Sequence, residues 1–326
     1  MAAPQNQYTD YPNGVTSFGM PLFGGGPGKA ASGAPGWNGA YGRSWFVDAY
    51  AGSNGNSGTG PTSPWATMAK AFSVIASGDV INFRGKITEQ LVTPVNVFDV
   101  WINGMGNRPR HADSTPVGGN IAAAQWGTPS SGGVAAQATL RVLQQGWRFT
   151  NFLMTAIDAN AACLEIVRDA GAGDLERDAS HAQVLGMRFS GAGVGIRGGV
   201  AALFTEIPYN VEVGYSQFDN MTFAMRAAIE CNQWDIHDNL FGPNTNQIIM
   251  AARNFNIYNN RVGTFTAAAS SGGIDLNGGT GLNKVSQNVL SGAYSIAGGY
   301  RVANANDEWW GNYANVATIL TLADPA

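Results

Sequence analysis

Ile236-His-Asp-Asn239-Leu-Phe241, Ile257-Tyr-Asn-Asn260-Arg-Val262, Val285-Ser-Gln-Asn288-Val-Leu290 and Trp309-Trp-Gly-Asn312-Tyr-Ala314 are four copies of one pattern, set in the stretch from Tyr209 to Tyr313. Each copy opens on an apolar residue, carries Asn three places later and closes on an apolar or small residue at the fifth place. Val213-Gly-Tyr-Ser-Gln-Phe218 is a fifth copy with Ser in the Asn place, and Val184-Leu-Gly-Met-Arg-Phe189 and Phe149-Thr-Asn-Phe-Leu-Met154 carry the pattern further back. Start to start, the intervals run from 21 residues (236 to 257) to 35 (149 to 184). One short strand pattern per interval of this size is the mark of a solenoid. The intervals hold no pairs of amphipathic helices, so the coil is built of β-strands, with successive turns about 4.8 Å apart. Equivalent positions then stack. Asn239, Asn260, Asn288 and Asn312 are expected to form a ladder at a bend, their amides bonding to one another and to the bend backbone. Asn suits such a place because it tolerates left-handed backbone and offers both donors and acceptors.

The chain has 326 residues, 44% of them hydrophobic, enough for a substantial core. Charged residues are 12%, against about 25% in an ordinary globular domain. A large fold this poor in charge either has its surface covered by neighbours or displays mainly Asn, Gln, Ser and Thr. The net charge of -4 leaves no electrostatic footprint for nucleic acid or an anionic membrane. Cys163 and Cys231 sit in apolar runs and imply neither disulfide nor metal framework. Nothing in the sequence calls for a cofactor. The amino terminus lacks the basic start and apolar core of a secretory signal, and no apolar run approaches the length of a membrane span.

Residues 1–43 are too rich in Gly and Pro for regular structure, yet hold Tyr11, Phe18, Leu22, Phe23, Trp37 and Tyr41. They are expected to form an extended attachment arm that docks these side chains on another surface, with residues 44–326 as the folded body. The body begins with a strand at Trp45-Phe-Val-Asp48 and a loop of turn formers. Pro64 to Ala76 follows, with apolar residues at 65, 68, 72 and 75, and reads as an amphipathic helix with Ser63 as N-cap. Gly78-Asp-Val-Ile81 then starts the next strand. Residues 111 to 140 show no period and are expected to be a surface loop between rungs.

That succession, with its Thr62-Ser-Pro-Trp65 and the later Glu89, resembles the opening of right-handed parallel β-helix proteins of the pectate-lyase-like superfamily. The resemblance implies an all-β, single-stranded right-handed parallel β-helix whose amino-terminal helix caps the open end of the coil, where strand groups and core would otherwise meet water. The leader Tyr11-Pro-Asn-Gly-Val-Thr-Ser-Phe-Gly19 resembles the start of virion structural proteins of tailed bacteriophages. It implies a virion protein assembled in the host cytoplasm, a homotrimer bound through its arm to other virion proteins, first the major capsid protein. On this basis the expected role is a non-enzymatic head decoration or cement protein. The alternative is a tailspike or tail protein that binds or cleaves host polysaccharide.

Catalysis on such a coil requires carboxylates on adjacent rungs. The outward place before each pattern holds Arg148, Gln183, Glu212, Asp235, Asn256, Lys284 and Glu308. Glu212 and Asp235 fall one strand spacing apart, near the roughly 5 to 5.5 Å of a retaining glycosidase pair. Asp238 and Asp219 lie close in the same repeats, so Glu212, Asp235 and Asp238 are the candidate acid–base residues if any catalysis occurs. Two acids among seven outward places also arise by chance, and the expectation is therefore no enzyme. The remaining acids are too dispersed for a calcium cluster. His111, His181 and His237 have no ligand spacing, and His237 reads as an outward surface residue. Tyr215, Tyr258 and Trp310 could stack on sugar rings, but they do not share one offset in the pattern.

Overall fold

The computed structural model describes residues 16–17, 20–21, 42–105, 124–127, 137–156, 158, 160–168, 178–199, 208–263, 273–276, 278–291, 300–301, 306–316 and 319–322. Three long sheets make up the body, two of ten strands and one of eight, in which each strand pairs with the strand one coil earlier and one coil later. All their pairings are parallel save the last, where Ile319–Leu322 folds back antiparallel on Tyr313–Val316. This is a parallel β-helix. The first sheet runs from Ser44–Asp48 to Glu308–Trp310. The second runs from Lys86–Ile87 to Ile319–Leu322, and the third from Leu91–Val92 to Tyr300–Arg301.

The pattern places settle into columns. Phe149, Val184, Val213, Ile236, Ile257 and Val285 lie in register in the first sheet, all fully buried. In the second sheet Phe189, Phe218 and Phe241 stack face to face, with ring centroids 4.8 and 4.9 Å apart. A strand spacing of about 4.8 Å falls within the roughly 4.5–7 Å centroid separation of offset-stacked rings, so identical rings in one column pack without strain.

At the bend between these sheets the amides of Asn239, Asn260, Asn288 and Asn312 form a buried ladder. Each Oδ1 accepts the backbone N–H of the same place one rung earlier, at 3.0 Å for Asn239 to Asn260 and for Asn260 to Asn288, and 3.1 Å for Asn288 to Asn312. Each Nδ2 donates to the carbonyl of the preceding inward residue, as Asn260 does to Ile236 at 2.9 Å. Ser216 enters the same chain, its N–H donating to Asn239 Oδ1. The left-handed conformation expected of the ladder Asn lies one residue earlier, at Tyr215, Asp238, Asn259, Gln287 and Gly311. The bend needs two different properties, a positive φ and a bidirectional amide, and assigns them to adjacent residues.

Three other expectations change. The helix spans Met68–Phe72, and its N-cap is Thr67, not Ser63. Thr67 Oγ1 accepts the N–H of Lys70, and the Glu89 carboxylate accepts those of Met68 and Ala69, so the preceding chain from Pro64 need not be helical. Phe72 closes over the core end, its ring 5.5 Å from that of Trp147 and 6.1 Å from that of Trp126. Residues 111 to 140 are not all loop: Gln125–Gly127 is a second-sheet strand with Trp126 fully buried. Burial of one indole outweighs the absence of local period. Asp79, from the Gly-Asp-Val-Ile motif, is a buried junction accepting from Arg43 N, Trp45 Nε1 and Ala76 N. In the amino-terminal region Thr16–Ser17 pairs antiparallel with Met20–Pro21. Tyr11, Phe18, Leu22, Phe23, Trp37 and Tyr41 lie outside the described residues.

Candidate functional site

The outer face of the first sheet carries two parallel rows of side chains. Glu212 and Asp235 are direct neighbours in one row, and Gly214, His237 and Tyr258 follow each other in the next. The strand alternation that turns Val213 and Ile236 inward sends the residues on either side of them outward.

His237 is not the exposed surface residue that its position suggests. Its side chain is only 7% exposed, with Nε2 3.2 Å from Glu212 Oε1 and Nδ1 3.0 Å from Asp238 Oδ2. Gly214 makes this possible. A Cβ at Gly214 would stand 2.6 Å from His237 Cε1, so the imidazole lies across the space that a side chain would fill. Both ring nitrogens face carboxylate oxygens, and both hydrogen bonds form only if the ring carries two protons or if a carboxyl supplies one. Which nitrogen donates depends on the tautomer of the ring. Gln183 Nε2 fixes the other oxygen of Glu212 at 2.8 Å.

Asp235 is held differently. Burial raises its carboxyl above the ordinary carboxylate range, His237 opposes the shift, and the Glu212 charge adds to it. Asn256 Nδ2 donates to Asp235 Oδ1 at 3.3 Å. Two neighbouring carboxyl groups thus differ in environment, one inclined to keep its proton and one tied to an imidazole, which is how acid and base roles are divided. Tyr258 stacks on His237 with centroids 5.2 Å apart and planes 13° apart, and Tyr215 meets it edge-on at 5.3 Å. Burial and the surrounding carboxylates of Asp235, Asp238 and Glu212 raise the Tyr258 phenol.

Of the residues singled out from sequence, Glu212, Asp235 and Asp238 come together around His237. Asp219 does not join them. It is on the second sheet, bonded to Arg188 at 2.9 Å and to Gln217 at 2.8 Å. Tyr258 and Trp310 prove to share an outward row with Ser286 between them, whereas Tyr215 stands at the bend. His181 packs on Tyr209 away from the cluster, and His111 is outside the described residues. Among the described residues no group of three or more His, Cys, Asp or Glu is placed to hold a metal ion. Both cysteines are buried, and burial pushes their thiols up, far from reactivity.

No family model and no curated protein matches the chain. Among solved structures it is similar to pectin methylesterase PemA from Erwinia chrysanthemi, at 14% identity and a TM-score of 0.38 over 84% of this chain and 90% of that one. That structure is of an enzyme, in contrast to the expectation of a chain without enzymatic activity.

Proposed function

We propose that this chain is a β-helix of a tailed-phage particle that acts on host polysaccharide through the outer face of its first sheet. The supporting observation is the His237 imidazole suspended over Gly214 between Glu212 and Asp238, beside Asp235, whose carboxyl burial raises above the ordinary carboxylate range. In this reading Asp235, protonated, gives its proton to the glycosidic oxygen as the bond to the leaving sugar breaks. The Glu212 carboxylate, held by Gln183 and His237, attacks the anomeric carbon to form a covalent glycosyl-enzyme, which a water deprotonated by Asp235 then hydrolyses, freeing Glu212 and a new reducing end. Asp238 orients the imidazole from its Nδ1 side. Adjacent rungs one strand spacing apart bring the two carboxyl groups close enough for this division of work.

The test is incubation of the purified full chain with host surface polysaccharide and detection of new reducing ends. Glu212→Gln and Asp235→Asn are each expected to lower the rate by about 100-fold or more, the lower end of the range for one acid–base group. Activity should fall as pH rises through the raised Asp235 value, because the acid is then lost. An intact chain that releases no reducing ends from any host glycan overturns the reading.

The 12% charge content and the exposed Leu240, Leu282, Trp310 and Tyr313 favour a second reading, in which the body lies against other particle proteins as an exterior head protein held by residues 1–43. Copy number separates the two. Hundreds per particle support a head location, and a few to some tens a tail location.

A further inference from the structure

Tyr215 stands out among the bends that follow the first-sheet strands. The left-handed position there is occupied by Asn151, Gly186, Asp238, Asn259 and Gly311, which take it at low cost, and by Gln287. Tyr215 holds φ at 53°, a conformation disfavoured for a bulky aromatic residue. Nor does it gain a buried ring, since the residue is 59% exposed. Its ring instead stands edge-on to His237, at 87° between planes, on the border of the acid–base cluster. Backbone strain kept at a position that contributes little to the core points towards function.

We propose that Tyr215 is a sugar-stacking residue of this site, and that the ring it receives is an uncharged pyranose. The inference rests on the polysaccharide reading above and names the substrate class. The axial C–H groups of a pyranose pack on aromatic rings, and Tyr215, 59% exposed, borders the reacting groups. Charge selects the class. Glu212 and Asp238 flank one imidazole, so a uronate carboxylate arriving between them meets like charge, whereas sugar hydroxyls can donate to them.

The test uses the full chain, Tyr215→Gly and Tyr215→Phe, with retention measured on immobilised neutral glycans (dextran, mannan and host neutral polysaccharide) and on polygalacturonate. Thermal unfolding is measured alongside. The wild type is expected to bind at least one neutral polymer and to pass through polygalacturonate. Tyr215→Gly should weaken that retention about tenfold, the loss of one aromatic contact, while its Tm stays the same or rises because the left-handed strain is relieved. Tyr215→Phe should restore binding. A lowered Tm with retention unchanged assigns Tyr215 to structure and overturns the stacking role, as does preferential retention on polygalacturonate for the uncharged class. These outcomes leave Glu212-dependent cleavage standing. Absence of both retention and Glu212-dependent cleavage removes the polysaccharide reading and the stacking role with it.

Discussion

One column of buried residues changes its chemistry halfway along the coil. Below, the place that follows each bend is filled by Phe152 and Met187, both fully buried and apolar. Above, it is filled by Asn239, Asn260, Asn288 and Asn312, equally buried but joined by hydrogen bonds. Ser216 is the joint between them, its Oγ accepting the Met187 N–H and its own N–H donating to Asn239. The two halves show two ways of closing the same bend. An apolar column is stabilised by volume and contact, and tolerates exchange among side chains of similar size. An amide column is stabilised by directional bonds to both neighbours, so no member can be replaced without stranding a partner. The candidate site lies where one becomes the other. Asn239 ties the bend that bears Tyr215 to the bend that bears Asp238, the two residues that contact His237.

Substitutions in the two halves should therefore differ in kind. Phe152→Ala empties the apolar column where the ring packs against Phe83 at 5.0 Å, and is expected to cost about 3–5 kcal/mol in denaturant unfolding. A cost below about 1 kcal/mol would mean that the lower column is not packed as a core. Asn260→Leu keeps the column filled but strands the Asn239 N–H and the Ile236 carbonyl, for an expected loss of about 1–3 kcal/mol. Met187→Leu, a nearly volume-conserving exchange in the apolar half, should cost less than about 1.5 kcal/mol. Equal losses for these two would erase the distinction between the halves. Ser216→Asn extends the ladder by one rung in place of the hydroxyl, exchanging one set of hydrogen bonds for another, and its effect should stay within about 1 kcal/mol, measured by the same unfolding curves.

Much of the first and second sheets could be read from the chain because their residues repeat in register, with apolar places inward and Asn at each bend. The adjacency of Glu212 and Asp235 followed from that register alone. The third sheet was less legible. Its long strand Phe223–Asn232 shifts register between Ala227 and Cys231, so its apolar places do not repeat at one spacing. The strand Gln125–Gly127 was hidden because three residues carry no period, and only the burial of Trp126 explains them. His237 was misread for a related reason. A histidine in an outward row is ordinarily exposed, and what buries this one is the missing side chain of Gly214, one rung away and 23 residues earlier (237 − 214). A Gly at the place where the next rung carries His was the available signal.

The sequence by itself determined that the chain coils, how the rungs align and which places form the amide ladder, because stacking at one strand spacing turns a repeated residue into a column. Only the tertiary structure decided where the left-handed residues fall, which indole completes the core and that an imidazole spans two carboxylates. Those outcomes depend on space left or filled by residues of other rungs, and a linear pattern does not record the volume its neighbours leave empty.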